Sequence, residues 1–313
     1  MLLGLIFRGG IVMDIHPGII YWLVSGRSFF VGAGILLAAV VLPSGQEAKQ
    51  CRRISCALIG VGVVLVACSG TPLPLWVYGI WSAVTAIWLT MRGQESSGRW
   101  YAKAEAALRV GAGLATIAAF GLELPWHLSP SLVVDKSQPV YVIGDSLSAG
   151  LGEGQDKVWP QILAQEHDIK VVNLSRPGAT AKSAVSMTDK VKDKNALVIL
   201  EIGGNDLFGS KTAKKFGSEL EELIQQVRGP QRTMVMFELP LFPLWNNYGR
   251  VQRQLSQKYD IKLIPKGILA GVLTSPGDTI DGIHLTEKGH RRMAEEVGKV
   301  LRWDRTAKGK QGD

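Results

Sequence analysis

The sequence predicts two unlike parts, an all-α membrane domain of about four transmembrane helices followed by an α/β domain built on a parallel sheet. Three observations carry this. Residues Ile54 to Met91 form a run of 38 positions without Asp, Glu, Lys or Arg, nearly twice the roughly 20 a spanning helix needs. After residue 126, short β-branched runs alternate with helical patterns, as βαβ units do. Charge divides with the pattern: residues 1–126 hold 9 Lys/Arg and 5 Asp/Glu, and residues 127–313 hold 26 and 22. Each part thus carries a formal net charge of +4, which argues against a concentrated basic domain and hence against nucleic acid as a partner.

The long uncharged run is broken at Gly70-Thr71-Pro72-Leu73-Pro74, where proline removes backbone donors and fixes φ. It reads as two spans, about 54–70 and 74–91. An earlier apolar stretch, about 19–42, contains Arg27, and a later one, about 105–124, contains Arg109 near its start. Both arginines are expected to snorkel toward the interface. Trp22, Trp76, Trp88, Trp100 and Trp126 fall near span ends as interfacial anchors, with Trp81 deeper. Lys49, Arg52 and Arg53 cluster between spans, as do Arg92, Arg99 and Lys103, whereas the Gly70–Pro74 turn has no basic residue. Positive loops stay cytoplasmic. The expected location is therefore a bacterial inner (cytoplasmic) membrane, multi-pass, with everything after Trp126 on the periplasmic or extracellular side. The run Met1–Phe7 precedes its positive charge, Arg8, and lacks a small-residue cleavage pattern, so it reads as uncleaved.

The expected boundaries are 1–126 for the membrane domain, 127–138 for a linker, 139–302 for the α/β domain and 303–313 for a solvated basic tail. A linker of about a dozen residues reaches roughly 40 Å, so any active site works close to the bilayer. Strands are expected at 140–143, 170–173, 196–201, 233–238 and 261–264, and helices near 157–166, 181–191, 212–228, 246–259 and 287–301. Cys51, Cys56 and Cys68 all precede residue 126, leaving the α/β domain without a thiolate metal site or disulfide framework.

Ligands in open α/β sheets bind beyond the carboxyl ends of the strands. The first strand leads into Gly144-Asp145-Ser146-Leu147-Ser148-Ala149-Gly150, a sharp turn with a serine at a helix start. Asn173 to Thr180, including Gly178, and Gly203-Gly204-Asn205-Asp206 follow the second and third strands. Their glycines let backbone amides approach an oxyanion. Asp281-Gly282-Ile283-His284 precedes the last helix. A hydroxyl needs a base to remove its proton, and the base needs a carboxylate to fix its tautomer. Ser146, His284 and Asp281 supply these three roles. Asp145 and Asp206 read as loop-supporting residues and His290 as a helix-face residue. Gly150, Gly152 and Gly154 are followed by no Gly-Lys-Ser/Thr, so no phosphate loop is expected. Leu239–Trp245 is an apolar loop suited to lining an acyl site, packing inward or touching membrane.

These blocks resemble the SGNH/GDSL serine hydrolases, whose four motifs contribute Ser, Gly, Asn and His in that order. The matching positions are Ser146, Gly178, Asn205 and His284, with Asp281 in the place of the acid. The likeness covers about residues 139–302 and is closest to the bacterial periplasmic acyl thioesterase, lysophospholipase and arylesterase branch. His284-Leu285-Thr286 departs from it where a proline often follows the histidine. The resemblance implies a flavodoxin-like three-layer parallel sheet, an oxyanion hole from the Ser146 and Gly178 amides and the Asn205 side chain, and no metal or organic cofactor. The expected activity is hydrolysis of acyl esters or thioesters through an acyl-serine intermediate, with the bilayer and an acyl-ester substrate as partners. Alternatives are O-acyl transfer to, or deacetylation of, an envelope glycan, and a noncatalytic lipid- or glycan-binding module.

Overall fold

The computed structural model describes residues 16–42, 49–92, 98–151, 157–208 and 211–304. The expectations for Met1–Arg8, for Gly152 and Gly154 and for the tail beyond residue 304 fall outside these residues. The chain divides into two compact units, one comprising Trp22–His127 with Leu241–Asn246, the other Leu128–Pro240 and Asn247–Asp313 together with the residues up to Tyr21.

The first unit is helical: α1 Pro17–Val24, α2 Arg27–Val41, α3 Lys49–Ala67, α4 Leu75–Arg92 and α5 Arg99–Glu123. Among the described residues, one helical stretch, Arg99–His127, is long and apolar enough to cross a membrane; α1 and α2 would qualify together but are bent by 73°. The expected first span is thus not straight. Gly26, at φ 82, supplies the left-handed residue that turns the chain between the two helices. The apolar part of α3, Arg53–Ala67, has 15 residues, about 22 Å at helical rise. The four expected spans therefore correspond to one continuous candidate and one broken one. Helices α2 and α3 cross closely at Gly32 and Gly62, where a Cβ on Gly32 would lie 2.7 Å from the Gly62 carbonyl oxygen. Small residues of this kind let helix backbones touch.

Arg109 and Trp88 each make a contact to another helix that no local pattern announces, and buried Trp88 departs from the expected interfacial anchor. Arg109 donates to the carbonyls of Val40, Val41 and Leu42, satisfying acceptors that the end of α2 leaves without helical partners. Trp88 is buried, with its indole donating to Glu105 Oε1 at 3.0 Å, whereas Trp22, Trp76 and Trp100 are exposed. Trp81 is buried and donates to Thr116 Oγ1. The segment Leu241–Asn246, from the apolar loop, lies within this unit, where Asn246 Nδ2 donates to the Ser69 carbonyl at 3.1 Å.

The second unit is α/β. Its strands are β1 Leu132–Asp135, β2 Val140–Gly144, β3 Val171–Asn173, β4 Asn195–Glu201, β5 Gln231–Phe237, β6 Lys262–Ile264 and β7 Leu301–Asp304. Its helices are α6 Ser146–Ala149, α7 Trp159–His167, α8 Ala181–Ala184, α9 Ala213–Val227, α10 Asn246–Tyr259, α11 Lys266–Thr274 and α12 Glu287–Val300. Strands β2 to β6 form one parallel sheet in the order β3-β2-β4-β5-β6. All five expected strands are present, within two residues at either end. β1 and β7 pair in parallel as a separate two-stranded sheet, Leu132 opposite Leu301 and Val134 opposite Trp303. The expected linker therefore contains a strand, and the expected tail begins inside its partner. Leu132–Val134 is a short apolar run and Leu301–Asp304 directly follows a helix, and each is a strand because the other pairs with it.

Both faces of the main sheet are covered. Val140, Val142, Leu197, Ile199, Val235 and Phe237 share one core with Trp159, Leu163, Met293 and Val297, and the alternate residues Tyr141, Ile143, Val198, Leu200 and Met236 are buried as well. Near-continuous apolar runs suit strands buried on two sides. Helix α9 buries Phe216, Leu220, Leu223 and Ile224, the helical spacing legible in the sequence. Thr212 and Thr286 cap α9 and α12 through bonds from Lys215 N and Gly289 N. The parallel order aims the carboxyl ends of β2, β3 and β4, and hence the loops that carry Ser146, Gly178 and Asn205, at one edge, while the Asp281–His284 loop lies between α11 and α12.

Candidate active site

At the end of β2 the chain turns at Gly144. A Cβ there would meet Ser148 Oγ at 2.7 Å and the Glu201 carbonyl oxygen at 2.9 Å, so only glycine fits. Asp145 caps the short helix that follows, its Oδ1 accepting from Leu147 N at 3.0 Å, while its own N–H donates to the Glu201 carbonyl at 3.2 Å. This is the supporting role expected of it. Ser146 is thereby held at the first position of α6, buried apart from 8% of its surface.

The second loop is tied to the first by a bond from Arg176 N to the Gly144 carbonyl at 3.1 Å. It turns at Gly178, whose φ of +73 favours glycine. The third leaves β4 through Gly203, at φ +117, where a Cβ would press on Leu239 and Phe216. Asn205 follows, and its Nδ2 donates to Asp145 Oδ2 at 3.0 Å and to the Ala179 carbonyl at 3.1 Å. Asp206 is buried; it accepts from Ala181 N at 2.9 Å and pairs with Lys211 at 2.6 Å. It structures the loop.

In the fourth loop, Asp281 Oδ1 accepts from the backbone N–H of Ile283 and His284, and Oδ2 lies 2.7 Å from His284 Nδ1. A carboxylate only accepts, so Nδ1 carries the proton and the neutral ring keeps its lone pair on Nε2. Burial acts to raise the Asp281 pKa, but the bonds from His284 and Ile283 outweigh it and hold the group at about 2. Burial raises the Asp145 carboxyl to about 6, opposed by the Leu147 N–H and by His284 and reinforced by Asp206. Among the described residues Ser146 Oγ makes no hydrogen bond to the His284 ring.

A buried polar set behind Ser146 was not foreseen. Ser148 Oγ donates to Glu201 Oε2 at 2.8 Å and accepts from Trp159 Nε1 at 3.1 Å, and Asn173 Nδ2 donates to the Ser148 carbonyl at 2.8 Å. Burial pushes the Glu201 carboxyl well above its ordinary value, with Asp145 adding to the effect. The signal available in the sequence was a glutamate closing an apolar strand, one residue before Gly203-Gly204. His290 is buried on α12 and its Nδ1 accepts from Trp159 N at 3.3 Å, so it serves packing. Among the described residues no group of three or more His, Cys, Asp or Glu is arranged to hold a metal ion.

Residues 142–292 match the GDSL-like Lipase/Acylhydrolase family. The chain carries a GDSL/SGNH esterase domain. Over 181 residues this domain is 29% identical to an arylesterase of Vibrio mimicus, covering 53% of the present chain and 88% of that protein. It is 25% identical over 194 residues to thioesterase 1/protease 1/lysophospholipase L1 of Escherichia coli strain K12, covering 56% and 92%. The crystal structure of TesA, 26% identical, covers 52% of the chain and 97% of its own, with a TM-score of 0.47. The GDSL/SGNH domain accounts for about half the chain, and these relatives align with that half.

Proposed function

We propose that the protein is a membrane-anchored serine ester hydrolase that cleaves acyl esters or thioesters through an acyl-Ser146 intermediate on the extracytoplasmic side of a bacterial inner membrane. The observation that carries the chemistry is the Asp281–His284 pair, whose 2.7 Å contact leaves Nε2 as the basic nitrogen. In acylation, Ser146 Oγ attacks the ester carbonyl carbon while His284 Nε2 takes the hydroxyl proton. The negative charge moves to the carbonyl oxygen, where the Ser146 and Gly178 amides and Asn205 receive it. Collapse breaks the bond to the leaving oxygen or sulfur, which takes the proton from His284. Water then attacks the acyl-serine, His284 accepts its proton, and the carboxylic acid leaves as Ser146 Oγ regains a hydrogen.

Anchoring rests on the solvent preference of the helical unit. Ser55, Thr71, Arg92, Thr116 and Glu123 are buried in it, while Ile54, Val64, Trp76, Ile80, Val110, Leu114 and Ile117 are exposed. A unit with polar groups inside and large apolar side chains outside suits hydrocarbon better than water. The buried groups have partners, including Arg92 Nη1 to Ser55 Oγ and Glu123 Oε1 to His127 Nε2 at 2.9 Å. Such a membrane setting favours lipid acyl esters or lipid-linked thioesters as substrates. In the test, the full chain in detergent hydrolyses short aryl esters, and Ser146→Ala lowers kcat by about a thousandfold or more. Unchanged turnover in that variant rejects the mechanism, and a strict preference for acetyl over octanoyl esters moves the substrate to an acetylated glycan.

A further inference from the structure

A carboxamide nitrogen has two hydrogens, and in this site both of those on Asn205 are engaged. Nδ2 lies 3.0 Å from Asp145 Oδ2 and 3.1 Å from the Ala179 carbonyl oxygen. Both partners are acceptors, so the atom between them is the nitrogen, and the two bonds orient the amide plane. The bonds join three loops: Asp145 follows β2, Ala179 adjoins Gly178 after β3, and Asn205 follows β4. The Asp145 carboxylate is itself immobile. It is 4% exposed, its second oxygen accepts from Leu147 N at 3.0 Å, and a Cβ on Gly204 would stand 3.3 Å from Oδ2. A bond from an amide to a buried carboxylate is stronger than one between neutral groups.

We propose that Asp145 is a positioning residue for the oxyanion hole, clamping the Asn205 carboxamide so that its N–H donors are aligned before negative charge develops on the substrate oxygen. The inference rests on the reading of Asn205 as an oxyanion donor. Since both hydrogens already have acceptors, the oxyanion receives a three-centre bond from an amide that does not rotate to meet it. Alignment of this kind acts on the transition state more than on the bound ester, and so it appears in kcat and not in KM.

The test is a double-mutant cycle on the full chain in detergent with a water-soluble short aryl ester. Asp145→Ala is expected to lower kcat by about 10- to 100-fold, less than the hundredfold or more lost on removing an oxyanion donor outright, with KM changed by less than about threefold. In an Asn205→Ala background, where the clamp has nothing to hold, the same substitution is expected to cost less than about threefold further. Equal cost in the two backgrounds, or a loss confined to KM, overturns the proposal. If Asp145→Ala fails to fold by circular dichroism, Asp145→Asn carries the same cycle, because an amide offers one acceptor oxygen where Leu147 N and Asn205 Nδ2 require two. Activity surviving in Ser146→Ala would reject the serine mechanism itself. Additive losses in an enzyme that still depends on Ser146 would reject the clamp alone.

Discussion

The hydroxyl of Ser148 donates to Glu201 Oε2 at 2.8 Å, joining the nucleophile turn to the end of the neighbouring strand beneath it. The same oxygen accepts the indole N–H of fully buried Trp159. Ser148→Ala leaves a buried indole donor and a buried carboxyl without these partners, at a cost of about 1–3 kcal/mol. The midpoint of thermal unfolding should fall and kcat with it, since Ser146 begins the same four-residue helix. An unchanged midpoint would contradict the bracing role.

Packing under the Asp281–His284 loop is equally close. A Cβ on Gly289 would lie 2.0 Å from the Asp278 carbonyl oxygen, a backbone atom that cannot yield without moving the loop. Gly289→Ala should therefore lower esterase turnover at least about tenfold while far-ultraviolet circular dichroism stays native-like. Gly298→Ala, on the same helix, meets only the far end of the His167 side chain at 2.7 Å. Turnover should stay within about twofold there, and equal losses in both variants would remove the loop from the explanation.

His290 sets part of the acid response. Burial lowers its pKa from 6.5 to about 4, so between those values the unfolded chain binds a proton that the folded chain refuses. Stability from this group is complete above about pH 6.5 and is lost as pH falls toward 4. Asp145, raised to about 6, works in the opposite sense between 3.8 and 6, so the informative quantity is the difference between parent and variant. His290→Asn keeps an acceptor for Trp159 N and removes the titration. The parent's unfolding temperature should drop more steeply than the variant's from pH 6.5 to 4, and parallel curves would refute the assignment.

Orientation in the membrane has its own test. With the basic loops inside, an impermeant protease added to intact spheroplasts should digest the esterase domain. Protection until the membrane is lysed would place the domain in the cytoplasm and reverse the proposed topology.

The β2–β6 sheet and its helices were legible because their signals are local: β-branched runs between glycine- and asparagine-rich turns, and Phe216, Leu220, Leu223 and Ile224 at helical spacing. β1 and β7 were not, because Leu132–Asp135 follows Ser129-Pro130-Ser131 and its partner lies some 170 residues away in the chain. Helix α11, Lys266–Thr274, went unread since its short sequence, KGILAGVLT, is apolar on nearly every side and has no polar face to mark a period. Ser146, Asp281 and His284 stood out as residues of distinctive chemistry in turns, and Gly178 and Asn205 through the resemblance to the SGNH/GDSL hydrolases; the structure brings Asp281 against His284. Glu201 did not stand out, because a glutamate at a strand end looks solvated until Ser148 and Asp145 are found packed on it. The partners of Arg109 were equally hidden, since they are backbone carbonyls of another helix, which no local pattern announces.

The central claim is that Ser146 is the nucleophile, and covalent capture tests it most directly. The full chain is incubated in detergent with a fluorophosphonate, digested and mapped by mass spectrometry. One stoichiometric adduct is expected on the peptide containing Ser146, absent in Ser146→Ala and formed at least about a hundredfold more slowly in His284→Ala. Ester turnover that persists without an adduct on Ser146, or with the adduct on another residue, would contradict that claim.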